Sequence, residues 1–471
     1  MTHKTIAHLF VLFLPALLAA ALKAAPPAVP DSQVPSDAEI RRTLVDRIDA
    51  QHQSVGIVVG IIEPQGRRVI SYGKLDKDDA RPLNGDTVFE IGSVTKVFTS
   101  LLLEDMVQRG EVALNDPMSK YLQEGVKVPE RGGRSIALVD LSTHTSGLPR
   151  MPNNFHPKDA TNPYADYTVE QLYQFLASCE LTRDIGSQFE YSNLGGGLLG
   201  HVLARRAGMD YAALVRSHVT EPLGMNSTGV VLSPEMKARL AVGHDGQLAT
   251  VSNWDFPALA GAGALRSTAS DLLTFLAANL AYVKSPLAPA MAAMLSVRRP
   301  MGAPGSGDIA LGWLVTKPAG DELVWHNGGT GGYRSFIGYN AKRRVGVVVL
   351  SNTFTAAGVD DIGMHLLDSH VPLLAPPKEH KEVALDPKLF DGYVGQYELA
   401  PKFILTITRD ADQLFVQATG QPKFPLYPEG SHDFFLKVVD AQVTFDTGAT
   451  GRATSLTLHQ NGSIVLAKRV Q

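Results

Sequence analysis

The chain of 471 residues carries a formal net charge of −4 and a single cysteine, Cys179. So balanced a charge leaves no electrostatic footprint for nucleic acid or an anionic membrane surface. One cysteine excludes an internal disulfide and a thiolate metal cluster, and the length allows two or three domains.

The N-terminus, "MTHKTIAHLFVLFLPALLAAALKAAPP", sets a lysine before an apolar run over residues 6–22 and then small residues. This is the pattern of a secretory signal, expected to end near residue 25, rather than of a stable membrane span. Residues 40–51 have helical periodicity. "VGIVVGIIE" and "RRVISYGKL", joined through Pro64-Gln65-Gly66, predict an antiparallel hairpin. A mostly helical, loop-rich middle runs over 87–292 and includes "LLTFLAANLAYV" as a core helix. Strand signals return in "YRSFIGYN" and "RRVGVVVLSN", followed by an apolar helix over 356–374. Strands contributed by both ends of a domain, with helices inserted between them, predict an α+β fold: one antiparallel sheet flanked by helices. The stretch 376–387 is rich in Pro and charge and reads as a linker. Beyond it, six to eight short strands alternating at period two predict a small all-β up-and-down barrel over 388–471.

Three boxes carry chemistry. In "FEIGSVTKVFTSLLLEDMVQRG", Val94, Val97, Phe98 and Leu101 recur at helical spacing, so Ser93 and Lys96 share one face. A serine at a helix N-terminus sits where free N–H groups favour developing negative charge, and a desolvated lysine one turn on can take its proton. Alone, the pair reads equally well as a capped helix with a surface lysine. A second S-x-x-K, Ser71 to Lys74, lies in a strand, where an offset of three points the side chains to opposite faces. In "GSQFEYSNLGGGLLG", Tyr191 and Asn193 flank Ser192 at a glycine-rich helix start. A tyrosine serves as a base only where a cation, here Lys96, lowers its pKa; a turn or helix cap is the plainer reading. In "VWHNGGTGGYRSFIGYN", His326, Asn327, Gly328 and Gly329 lead into a strand whose glycines admit a close neighbour. Alone, a glycine-rich hairpin edge with a surface histidine is the plainer reading.

In this order the boxes resemble the serine β-lactamase/penicillin-binding protein family, in its class C β-lactamase and DD-peptidase branch. His326-Asn327-Gly328 stands where the family has Lys-Thr-Gly. "LSTHTSGLPR" and "GAGALRSTASDL" are also similar to segments of the branch, and the likeness spans about residues 40–374. It implies a β-lactamase/transpeptidase-like fold with a helical subdomain over 36–375. It implies Ser93 as acylated nucleophile, Lys96 and Tyr191 as general acid and base, and Asn193 as a contact to the substrate amide. His326, Asn327, Gly328 and Gly329 then line the substrate and oxyanion site, with the N–H groups of Ser93 and Gly329 as donors. The tail is similar to the lipocalin-like domain appended to some exported peptidases of the family.

The reading is therefore an exported DD-carboxypeptidase or endopeptidase acting on D-amino-acid-containing peptides, secreted or periplasmic. A class C-type β-lactamase, a carboxylesterase of the same family and a non-catalytic penicillin-binding sensor are the alternatives. Its partners are expected to be small-molecule or peptide substrates, with no nucleic acid and no cofactor or metal. No Walker A or H-E-x-x-H is present, and Gly195-x-Gly197-x-x-Gly200 lacks the preceding strand of a nucleotide site. Cys179 is expected in core packing and His144 as a hydrogen-bonding support for its loop.

Overall fold

The computed structural model describes residues 34–355, 357–375, 380–400, 403–419, 423–437, 441–448, 451–460 and 463–470. The secretory signal expected over 1–25 lies outside the described residues. The chain forms two compact units, one running to Leu373 and the other starting at Leu374.

The first unit is built on an eight-stranded antiparallel sheet. Its order is Gly66–Gly73, Gly56–Glu63, Val345–Ser351, Arg334–Asn340, Leu323–Gly329, Leu314–Thr316, Asp308–Ile309 and Arg299–Pro300. The two ends of the unit meet at its centre, where Ile57 pairs with Ser351 and Ile62 with Gly346. "GIVVGIIE" is apolar at every position because both faces of this strand are covered. Successive side chains point to opposite faces: Ile57, Val59 and Ile61 join one core cluster, whereas Val58 and Ile62 join another. On the second face lies the helix Ala269–Asn279, close enough that a Cβ on Gly60 would sit 3.0 Å from Leu273. On the first face lies Asp360–Leu367, where Gly363 lets Phe336 pack against the helix backbone.

Two expectations shift. The apolar helix expected over 356–374 is confined to Asp360–Leu367, because Gly358 takes a left-handed φ of 64° and Asp368 is extended. The strands between Arg299 and Thr316 went unread, since runs of two or three residues beside Pro and Gly carry no periodicity.

In the second unit, strands from Gly395–Ala400 to Ser463–Arg469 pair in chain order and close when the first meets the last, Tyr397 opposite Arg469. These eight strands form the expected up-and-down barrel. Its interior is filled by side chains, with Tyr393 stacked on Phe445 at 4.5 Å and Phe434 and Leu456 fully buried. Part of the stretch read as a linker lies on this barrel: His380 stacks on Phe435 at 4.7 Å, and the Val383 N–H donates to the Pro428 carbonyl.

Candidate active site

The segment before Ser93 is held by a short antiparallel pair, Val88–Glu90 with Arg266–Thr268, and by the Ile91 N–H donating to the Leu265 carbonyl. Gly92, at φ 48°, then turns the chain through Gly92–Val94 into the helix Thr95–Gln108. That helix is apolar around most of its circumference, hence buried on all sides over its first three turns. Lys96 is carried inside with it and is 3% exposed.

Burial of an amine demands hydrogen-bond partners. Lys96 Nζ lies 2.9 Å from Ser93 Oγ and donates to Asn193 Oδ1 at 3.0 Å and to the Ala262 carbonyl at 2.7 Å. Desolvation, aided by the charge of Arg150, pushes the Lys96 pKa well below its ordinary value. The amine that faces Ser93 is thereby biased to its neutral, proton-accepting form.

Tyr191 precedes the helix Asn193–Ala207, whose N-cap is Ser192; the Ser192 hydroxyl accepts from the Gly195 N–H and donates to the Pro149 carbonyl. Three of the four glycines of "NLGGGLLG" are a packing device. A Cβ on Gly196 would sit 3.0 Å from Lys96 Cε, one on Gly197 2.7 Å from Leu259, and one on Gly200 2.8 Å from the Gly261 Cα. Close approach to the segment bearing Ala262 explains Gly197 and Gly200 of the G-x-G-x-x-G spelling without a nucleotide, and Gly196, between Gly195 and Gly197, admits Lys96. Asn193 Nδ2 donates to the Tyr164 hydroxyl at 3.0 Å, which fixes its amide with the oxygen toward Lys96.

The Tyr191 phenol differs from expectation. Lys96 Nζ lies 4.9 Å and the Arg150 guanidinium 5.2 Å from its ring centre. Even so, burial raises its pKa to about 12, outweighing the lowering by a hydrogen bond with Ser93 and by the charge of Arg150. The same desolvation that raises the phenol's pKa lowers that of the lysine beside it. His144 stacks on Tyr191 at 4.5 Å and accepts the Ser192 N–H on Nδ1 at 3.1 Å, so it supports this loop as the sequence suggested.

The third box lies on Leu323–Gly329. His326 is fully buried, 6.2 Å from the Tyr191 ring; its Nδ1 meets the Asn327 carbonyl at 2.6 Å, and its Nε2 has no hydrogen-bond partner among the described residues. Desolvation, and after it the charge of Lys96, lowers its pKa to about 3. The position is therefore neutral where the family's lysine is cationic. Asn327 points to the other face and donates to Asp360, whose pKa burial raises to about 6.

Gly328 and Gly329 bring this strand against the Ser93 turn. A Cβ on Gly328 would lie 2.0 Å from the Ile91 carbonyl oxygen, and one on Gly92 2.6 Å from the Gly329 nitrogen. The Thr330 N–H donates to the Tyr333 carbonyl. Hydrogen bonding alternates along an antiparallel pair, so the adjacent Gly329 N–H points away from the Arg334–Asn340 strand. The strand on its other side pairs only as far as Trp325, which leaves that edge open beside Ser93.

Among the described residues the site thus gathers Ser93, Lys96, Tyr191, Asn193, His326, Gly328 and Gly329, while Asn327 faces away from the lysine. The sequence reading missed the Ala262 carbonyl, Tyr164 and Arg150 as parts of it. A backbone acceptor has no sequence signal, and Tyr164 lies in an aperiodic loop; Arg150 was visible only as the end of "HTSGLPR". Cys179 caps the helix Val169–Ser178, half-buried against the core. Ser71 and Lys74 donate separately, to the Leu83 and Lys77 carbonyls.

A serine hydroxyl held by a desolvated amine, beside the open edge of an antiparallel sheet covered by helices, defines a serine acyl-transfer hydrolase. The chain belongs to the Beta-lactamase family, whose model matches residues 41–368. A second model, a domain of unknown function (DUF3471), matches 379–468. Among relatives, the D-alanyl-D-alanine-carboxypeptidase/endopeptidase AmpH of Escherichia coli K12 is 31% identical over 78% of this chain and 98% of its own length. Penicillin-binding protein 4* of Bacillus subtilis is 26% identical over 90% of this chain and 96% of its own. A β-lactamase/D-alanine carboxypeptidase structure from Yersinia pestis superposes with a TM-score of 0.61 at 25% identity, covering 71% of this chain and 99% of that one. In fold alone, an octameric penicillin-binding protein homologue from Pyrococcus abyssi matches 92% of this chain and 99% of its own, with a TM-score of 0.62 at 22% identity.

Proposed function

We propose that the protein is an exported, penicillin-binding DD-carboxypeptidase/endopeptidase that hydrolyses D-amino-acid-containing peptides through an acyl-enzyme on Ser93. The observation that carries the chemistry is the 2.9 Å contact between Ser93 Oγ and the buried Lys96 amine. The substrate class rests on the relative named as a D-alanyl-D-alanine-carboxypeptidase/endopeptidase. Export rests on the charged and apolar N-terminal run; among the described residues no helix is long and apolar enough to cross a membrane.

In this reading neutral Lys96 takes the Ser93 proton as Oγ attacks the scissile carbonyl. The oxyanion forms between the N–H groups of Ser93 and Gly329. Tyr191, protonated in the free enzyme, donates toward the leaving amine and is replenished from Lys96. Water then attacks the ester, with the same groups acting in reverse. Asn193, its amide oriented by Tyr164, contacts the substrate amide, and His326 contributes shape and a neutral ring nitrogen.

The test is incubation of wild type and Ser93→Ala with a peptide ending in D-alanyl-D-alanine and, separately, with penicillin, followed by intact mass. Release of D-alanine and a long-lived penicillin adduct, both absent from Ser93→Ala, are expected. Full activity in Ser93→Ala would sink the assignment. Rapid penicillin loss with only a fleeting adduct would favour β-lactam hydrolysis, the reading supported by a Pseudomonas fluorescens relative named β-lactamase at 27% identity.

A further inference from the structure

The charges around Ser93 are of one sign. Every charged neighbour that moves the pKa of Lys96 or His144 is a base, and for Tyr164 it is Arg150 alone. Lys96, His144 and His326 are themselves driven toward neutrality by burial. Arg150 is the cation that stays charged, since a guanidinium does not lose its proton in the working pH range.

Its placement is fixed at one end and free at the other. The Arg150 carbonyl accepts the N–H groups of Asn193 and Leu194 at 3.0 and 3.2 Å, which pins the loop residue to the helix start that carries the amide-contacting side chain. Its exposed guanidinium lies 5.2 Å from the Tyr191 ring centre. Among the described residues it has neither a hydrogen bond nor an ion pair. Nearby arginines are occupied: Arg134 and Arg299 both hold Asp140, and Arg183 pairs with Glu190. A planar guanidinium with five open donors, on a residue whose carbonyl is tied to Asn193, matches a carboxylate in shape and charge.

We propose that Arg150 is a specificity-determining residue that binds a carboxylate on the acyl-donor part of the substrate, so that the enzyme selects acidic acyl groups. This rests on the assignment of Ser93 and Asn193 above. The acyl donor, not the leaving group, is chosen because Arg150 is tied to Asn193 and not to the Gly328–Gly329 edge.

The experiment compares two glycyl thioesters with one neutral leaving group, the first capped with succinate and the second with succinamate. Glycine is achiral and a thioester needs no D-peptide specificity, so the pair reports on Arg150 even if the DD-peptidase reading fails. Wild type is expected to favour the succinyl member in kcat/KM by about tenfold or more, the scale of a charge-assisted bidentate pair. The preference should fall as salt is raised. In Arg150→Gln the ratio should collapse to about one, and in Arg150→Lys it should be intermediate. A wild-type ratio near one, or a ratio kept intact in Arg150→Gln, overturns the proposal. If Arg150→Gln does not fold, an undiminished ratio in Arg150→Lys with no salt dependence overturns it equally.

Discussion

Burial of His326 as a neutral ring makes the catalytic unit sensitive to acid in a way that can be sized. Its pKa falls from an ordinary 6.5 to about 3 in the folded chain. Between those values the unfolded chain binds a proton that the folded chain does not, so stability falls as pH falls. At about 1.4 kcal/mol per unit, the loss assignable to His326 on going from pH 7 to pH 5 is about 2 kcal/mol. In His326→Gln this loss should vanish, so the gap in unfolding free energy between the two proteins should shift by about that amount, in favour of the variant, between pH 7 and pH 5. Urea unfolding followed by tryptophan fluorescence is the assay. All three tryptophans, Trp254, Trp313 and Trp325, lie in the first unit, so the signal is blind to the barrel. His144, buried beside Tyr191, has its pKa lowered mainly by desolvation, which both proteins share. A gap that is the same at both pH values would mean that His326 is solvated or charged, and the neutral third box would have to be abandoned.

Other perturbations probe the site's geometry and its base. Gly328→Ala places a Cβ 2.0 Å from the Ile91 carbonyl oxygen, a backbone atom two residues before Ser93. The shift it forces should lower the rate of acylation by about 10²-fold, read as the rate of penicillin labelling by mass. Lys96→Arg replaces the proton acceptor with a side chain that stays protonated, and kcat/KM should drop by about 10²–10⁴-fold. In wild type, activity should fall as pH drops through the lowered pKa of Lys96, because protonation removes the base. A pH profile with its inflection at the ordinary lysine value would refute a desolvated amine.

What could be read in the sequence and what could not separates along physical lines. The sheet and the barrel were legible because each strand shows its burial in its own pattern: "VGIVVGIIE" is apolar on both faces, and the barrel strands alternate. Ser93 and Lys96 were legible because a helical offset of three fixes their proximity without tertiary knowledge. Protonation was not legible, because it depends on solvent lost to distant segments. The Leu259–Ala262 backbone and the His144 ring reach the site from two separate stretches. Their packing raises the Tyr191 pKa, where a neighbouring cation was expected to lower it, and lowers that of Lys96 as a desolvated lysine requires. A cation beside a phenol lowers its pKa only while it remains a cation. Here the helix Asn193–Ala207 approaches so closely through Gly196 that Lys96 is stripped of water, and the phenol's own burial raises its pKa. Gly196, set between the glycines that spell a decoy nucleotide motif, is thus the residue that sets the base.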